Sequence, residues 1–400
     1  MREELVLEAR RRVRESWIQR GANDAELGWT DELLDPDVLT IGFARRVPTY
    51  KRLTLMLRDP DRLKKLLLDP KRPIQLVIAG KSHPADDTGK KLIQQMVDFA
   101  DDPEVRHRIV FLPNYDIAMA LYLYPGCDVW LNNPLRPFEA CGTSGMKAAL
   151  NGGLNLSILD GWWDEWFDHE NGWAIPTADG VEDPNRRDDI EAGALYDIIE
   201  NHVAPRFYDR DAAGFPPHWM SMVTHTLATL SPKVLATRMV RDYTHKLYIP
   251  AARAAWDLDV PDYAGAKDLA KFRTRVVKAW PGVTVQNIEQ DELPDSPQIG
   301  DVLRLRAFVS LNGLSPDDVT VQGIFGRALE NDEITDISVH PLVFVEKTPD
   351  GLARFDATLT LNRTGARGYN IRVVPQHKGL ATPAELGLSA DASALARSSR

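Results

Sequence analysis

Ile74-Gln75-Leu76-Val77-Ile78-Ala79 is an apolar run interrupted by a single glutamine. It shows no polar alternation, and that decides the fold. A strand with one wet face alternates, whereas a strand covered on both faces reads as a continuous apolar run. Comparable runs recur at 38–44, 108–113, 127–131 and 154–160, separated by helical segments at 52–68, 90–100, 116–124 and 143–151. Strands alternating with helices, the strands buried on both faces, predict an α/β fold: a doubly wound parallel sheet of Rossmann type. In such sheets ligands sit beyond the carboxyl ends of the strands.

Outward from that core the texture changes twice. Residues 1–35 read as an amino-terminal helical segment, charged and helically periodic up to Arg20. The Rossmann-like domain then takes 36–258, its last part helical from 188 to 255 with Trp219, Met222, Leu227, Met239, Tyr243 and Leu247 as a packing stripe. A Pro/Asp/Gly-rich stretch at 259–265 marks a boundary. Short β-branched runs at 302–309, 319–325, 337–345, 355–361 and 369–374, with turn signals Asn312-Gly313 and Asp350-Gly351, predict an accessory β-sandwich over 280–385. The Ser/Ala-rich 386–400 reads as a flexible tail.

Composition narrows the function. The 400 residues are 44% hydrophobic, enough for more than one core, and 48 Lys plus Arg against 58 Asp plus Glu leave a formal charge of −10. No basic block marks a nucleic-acid surface. The two cysteines, Cys127 and Cys141, show no metal-ligand spacing, so neither structural zinc nor a disulfide framework is expected. No apolar run reaches the length of a membrane span, and Met1-Arg2-Glu3-Glu4 lacks the apolar core of a signal peptide, so the sequence reads as cytoplasmic.

Two loops on one sheet edge carry the chemistry. The stretch Glu139-Ala140-Cys141-Gly142-Thr143-Ser144-Gly145-Met146-Lys147 follows a strand and opens a helix. Its glycines let backbone N–H groups approach an anion, and the helix amino terminus adds about half a positive charge. Lys147 is expected one turn in, among Met146, Ala148, Ala149 and Leu150, desolvated and therefore suited to nucleophilic attack on a carbonyl. The second loop, Arg45-Arg46-Val47-Pro48-Thr49-Tyr50-Lys51-Arg52, places four cations straight after another buried strand. Two phosphate-type loops on one edge suit either a dinucleotide-like ligand or two phosphates side by side.

Four ordered motifs resemble the alpha-glucan phosphorylases: Arg45-Arg46 with Tyr50-Lys51-Arg52, Ala79-Gly80-Lys81-Ser82-His83-Pro84, Phe111-Leu112-Pro113-Asn114-Tyr115, and Glu139 through Lys147. The match is closest to the short bacterial and archaeal branch, and to the carboxyl-terminal portion of those enzymes. The resemblance implies pyridoxal 5′-phosphate as cofactor, carried by Lys147 as a Schiff base. It implies that Arg45, Lys51, Thr143 and the backbone of Ser144 grip the cofactor phosphate, and that Tyr115 lines the pocket. Arg46 matches the arginine for substrate phosphate, and Glu139 with the backbone at Cys141 and Gly142 matches the glucose-hydroxyl site. Lys147, Arg46 and Lys51 are thereby implied to carry catalysis: phosphorolysis of an α-1,4-glucan by orthophosphate to glucose 1-phosphate. The fold implied is the second half of a GT-B glycosyltransferase.

This sequence departs from the family in places. Pro48-Thr49 stands where animal-type enzymes have His-Glu, and Ser144-Gly145 where they have Gly-Asn. A first Rossmann domain, which would close the cleft, finds no second set of strands and helices here, so a separate amino-terminal half is an implied partner alongside glucan and phosphate, and a homo-oligomer is compatible. Two further readings compete. A nucleotide-sugar glucan synthase also places an arginine, a lysine and a glutamate at this edge, but has no use for Lys147. A non-catalytic carbohydrate-binding fragment would need exposed aromatic platforms, whereas Phe308, Phe325, Phe344, Phe355 and Tyr369 fall in strand patterns that read as core.

Overall fold

The computed structural model describes residues 1–291, 298–328, 334–362 and 367–392. The chain divides into two compact units, Met1–Met239 and Val240–Arg400. The first is built on a six-stranded parallel sheet of β1 (Leu39–Arg46), β2 (Ile74–Lys81), β3 (Ile109–Pro113), β4 (Val129–Asn132), β5 (Leu154–Ile158) and β6 (Gly172–Ile175), in the order β3-β2-β1-β4-β5-β6. The order in which strands are added to the sheet reverses between β1 and β4. That is the switch point at which open sheets of this type form a crevice.

Alternate residues of β1 and of β2 enter different cores. Leu39, Ile41, Phe43, Leu76 and Ile78 pack on one face, with α2 (Pro60–Leu67), α3 (Asp87–Ala100) and α7 (Pro184–Ile198). Ala44, Val77, Ala79, Val110, Leu112 and Trp130 pack on the other, with α1 (Arg2–Gln19) and α4 (Ile117–Gly126). Both faces being covered is the reason β2 carries no polar alternation.

Several expectations shift. The helix read at 52–68 begins only at Pro60, because Asp59 caps it by accepting the Arg62 N–H at 3.0 Å and Pro60 suits the first helical turn. Arg45 and Arg46, read as following their strand, are its last two residues, in register with Gly80 and Lys81. Of the packing stripe, Trp219 and Met222 are buried in α9 (Pro217–Val234), whereas Leu227, Met239, Tyr243 and Leu247 are exposed. Helical period alone does not say whether a face finds a partner.

The second unit joins α12 (Ala264–Ala279) to antiparallel strands β7 (Thr284–Gln290), β8 (Val302–Ser310), β9 (Val319–Ala328), β10 (Ile334–Lys347), β11 (Ala353–Thr360), β12 (Arg367–Pro375) and β13 (Ala390–Asp391). Phe272, Val276 and Trp280 pack against Leu305, Val309, Val321, Phe355 and Ile371, so the stretch before residue 280 contributes to this core. Of the aromatics read as core, Phe355 is buried and Phe344 is exposed. Of the tail expected from 386, Ala390 and Asp391 pair with Val373 and Arg372, and 393–400 lie outside the described residues. Among the described residues no helix is long and apolar enough to cross a membrane.

Candidate functional site

The end of β1 delivers Arg45 into the crevice as a buried cation. It is 8% exposed, and its Nε and Nη2 have no hydrogen-bond partner. Its guanidinium lies over the Phe43 ring at 4.7 Å, and Tyr124, Tyr50 and Tyr115 are its neighbouring phenols. Burial pushes it down to about 10 from the ordinary arginine value, against the pull of those phenols. A buried, unpaired guanidinium is unfavourable by itself, and an anion with two oxygens in its plane would complete it.

Arg46 is exposed at the same edge. Lys51, in the turn Thr49–Lys51, forms an ion pair with Glu139, and both side chains are largely buried. Burial and the nearby Arg45 and Arg46 push the Lys51 ammonium below its ordinary range; Asp160 acts in the opposite sense, as does a carboxylate in direct contact. The phosphate-type cation and the sugar-type carboxylate of the sequence are therefore each other's partners in the free chain.

Arg52 stands apart from Arg45, Arg46 and Lys51. Its backbone is left-handed, at φ 49°. Its Nε and Nη2 donate to the carbonyls of Asn133 and Pro134, each at 2.9 Å; Nη1 reaches Asp188 at 2.9 Å and Nη2 pairs with Glu191 at 2.6 Å. The expected group of four cations is thus three at the edge and one structural brace between the loop after β4 and helix α7.

Helix α5 (Thr143–Leu150) begins at Gly142, whose φ of +90° suits glycine, and no side chain caps the helix. Its first N–H groups lack intrahelical partners by the geometry of the helix. Thr143 and Cys141 are exposed and Ser144 half-buried. Lys147 is exposed as well, contrary to its expected desolvation. Ala148 and Ala149 turn into the core, and successive helical residues point about 100° apart, so they do not cover Lys147. Its Nζ lies 5.7 Å from the Tyr124 ring centroid, and the Tyr124 hydroxyl meets that of Tyr115 at 3.0 Å. Burial and the bond to Tyr115 push Tyr124 above the usual phenol range.

Tyr124, which neighbours both Arg45 and Lys147, carried no signal in the sequence beyond an apolar helical position. His83 serves its own turn, Nδ1 accepting the Ala85 N–H at 3.1 Å, and Arg136 pairs with Asp164 and Asp179, each at 3.7 Å. Among the described residues no cluster of His, Cys, Asp and Glu could hold a metal.

These features define a class: a Rossmann-like protein with a buried arginine whose Nε and Nη2 are unpartnered at the switch point of its sheet, and an exposed lysine on a helix beside it. The sequence comparisons are more specific. The family description of carbohydrate phosphorylases matches residues 30–169, and that of the glycogen phosphorylase C-terminal domain matches 280–393. A glycogen phosphorylase of Mycobacterium tuberculosis (strain CDC 1551 / Oshkosh) is 59% identical over 388 residues, 97% of this chain and 45% of the relative. One from Aquifex aeolicus is 48% identical over 247 residues, 62% of this chain and 35% of the relative. A maltodextrin phosphorylase of Thermococcus litoralis is 36% identical over 363 residues, 89% and 41% respectively. The chain belongs to the alpha-glucan phosphorylase family. It spans less than half the length of these relatives.

Proposed function

We propose that this chain is the cofactor-binding portion of an enzyme that cleaves α-1,4-glucans with orthophosphate, releasing glucose 1-phosphate. The observation that carries the reading is Arg45: a buried guanidinium with two unpartnered nitrogens, close to Tyr124, over whose ring Lys147 lies. That arrangement fits pyridoxal 5′-phosphate, with Arg45, Lys51, Thr143 and the Ser144 backbone holding its phosphate, Tyr115 beside it and Lys147 attaching it. When bound, the cofactor supplies a phosphate that acts as acid/base partner to the substrate phosphate. Exposed Arg46 is placed to take the substrate phosphate, and Glu139 with the Cys141 and Gly142 backbone to take glucose hydroxyls. In the reaction a phosphate oxygen bonds to the anomeric carbon as the bond to the leaving glucan oxygen breaks, and that oxygen receives the proton.

The finer architecture follows the same reading. Residues 36–258 would be the second half of a GT-B enzyme preceded by the helical 1–35, and 280–385 a sandwich in which β10 passes from pairing with β9 to pairing with β11 at Leu342/Val343. The facing wall of the cleft would come from a further domain or a separate half. The cytoplasm is the proposed compartment.

Borohydride reduction in the presence of pyridoxal phosphate is expected to label Lys147, and Lys147→Ala to abolish that label; equal labelling of the variant at other lysines would sink the cofactor reading. Glucose 1-phosphate formation from maltodextrin and orthophosphate reads the activity, and turnover of UDP-glucose without the cofactor would favour a glucan synthase instead. The ion pair of Lys51 gives a second test. Glu139→Gln releases the ammonium, so orthophosphate should bind about threefold to tenfold more tightly by calorimetry, the range of a modest electrostatic gain. Unchanged or weaker binding would remove Lys51 from the anion site.

A further inference from the structure

The turn after β5 grips the loop that bears Glu139. Asp160, buried, accepts the Glu139 N–H at Oδ2, 2.9 Å, and the Gly161 N–H at Oδ1, 3.0 Å. The Trp162 N–H donates to the Cys141 carbonyl at 3.0 Å. Gly161, at φ +56°, lies so close to this loop that a Cβ there would meet the Cys141 carbonyl oxygen at 2.3 Å and that of Glu139 at 2.8 Å. The Trp162 ring covers Gly142 and Gly145. Residues 139–142 are therefore held from one side by three consecutive residues of a different strand's loop.

A loop that merely closed the sheet edge would not need a buried carboxylate aimed at one N–H. The bond to Glu139 N–H fixes the peptide plane from which the Glu139 side chain departs, and the bond at Cys141 fixes the direction of the next peptides. We propose that Asp160 is a positioning residue for sugar recognition: it holds the loop so that the Glu139 carboxylate and the Cys141 and Gly142 N–H groups converge on one sugar ring. This rests on the sugar-binding role proposed above for Glu139. Arg45 belongs to another strand, and Asp160 acts on Lys51 through its negative charge, so losing that charge should not weaken anion binding.

The test uses the full 400-residue chain with Asp160→Ala and Asp160→Asn. Calorimetric titration with glucose 1-phosphate and with orthophosphate is combined with hydrogen exchange over 139–145. Asp160→Ala is expected to weaken glucose 1-phosphate about tenfold, the equivalent of one hydrogen bond to a charged group, and not to weaken orthophosphate. It should also speed exchange at the Glu139 N–H. Asp160→Asn keeps one acceptor oxygen and should recover most of both effects. Equal loss for the two ligands, or unchanged exchange at Glu139 in Asp160→Ala, overturns the proposal. A wild-type chain that binds orthophosphate but no sugar phosphate overturns the role of Glu139 and this inference with it; that failure shows without any variant.

Discussion

Arg52→Met is expected to destabilise the first unit by about 3 kcal/mol, the lower end of what breaking a buried ion pair costs. The reason lies in what the guanidinium leaves behind. Glu191 is fully buried, at 0% exposure, and keeps only Arg187 at 2.9 Å and the Ala178 N–H at 2.9 Å. The carbonyls of Asn133 and Pro134, both in buried residues, lose their donors at the same time. Arg52→Lys should not rescue, because an ammonium has no planar fork to reach two carbonyls and two carboxylates together. Urea unfolding followed by tryptophan fluorescence reads the effect. A loss below about 1 kcal/mol, the scale of an exposed pair, would show that the network is a solvated surface feature.

The substitution seven residues earlier should behave in the opposite way. Arg45→Met removes a buried charge whose Nε and Nη2 are unpartnered, so the ligand-free chain should be as stable as the wild type or more so. Binding of orthophosphate and of pyridoxal phosphate should fall about a hundredfold, the equivalent of roughly 3 kcal/mol for two charge-assisted bonds. Arg45→Lys keeps the charge without the fork and should lie between the two. Stability rising while affinity falls is the signature of a site held ready for an anion. A marked loss of stability with unchanged phosphate binding would mean that Arg45 serves the fold instead.

Much of the fold was legible because its cause is local. Leu76 and Ile78 feed one core while Val77 and Ala79 feed the other, and a run with no polar position states that both faces are covered. Glu139, Gly142 and Lys147 were legible as a loop and a helix start for the same reason: glycine at positive φ and a helix amino terminus are properties of a few adjacent residues. The start of α2 was legible too, in Asp59-Pro60, but helical period in the preceding residues masked it. The exposure of Lys147 was not, and for Asp160 only its place after a strand on the functional edge was legible, not the N–H groups it accepts, because those come from folding.

Arg45 and Arg52 show where that limit falls. The sequence determined that a cation-rich segment lies at the carboxyl end of a buried strand in a parallel sheet. It could not distinguish the two arginines, which are nearly equally buried at 8% and 7% exposure. Only the tertiary structure decided that Glu191, far along the chain in α7, neutralises Arg52 and leaves Arg45 without a partner. A buried charge is judged by the groups within a few ångströms of it, and folding, not chain order, selects those groups.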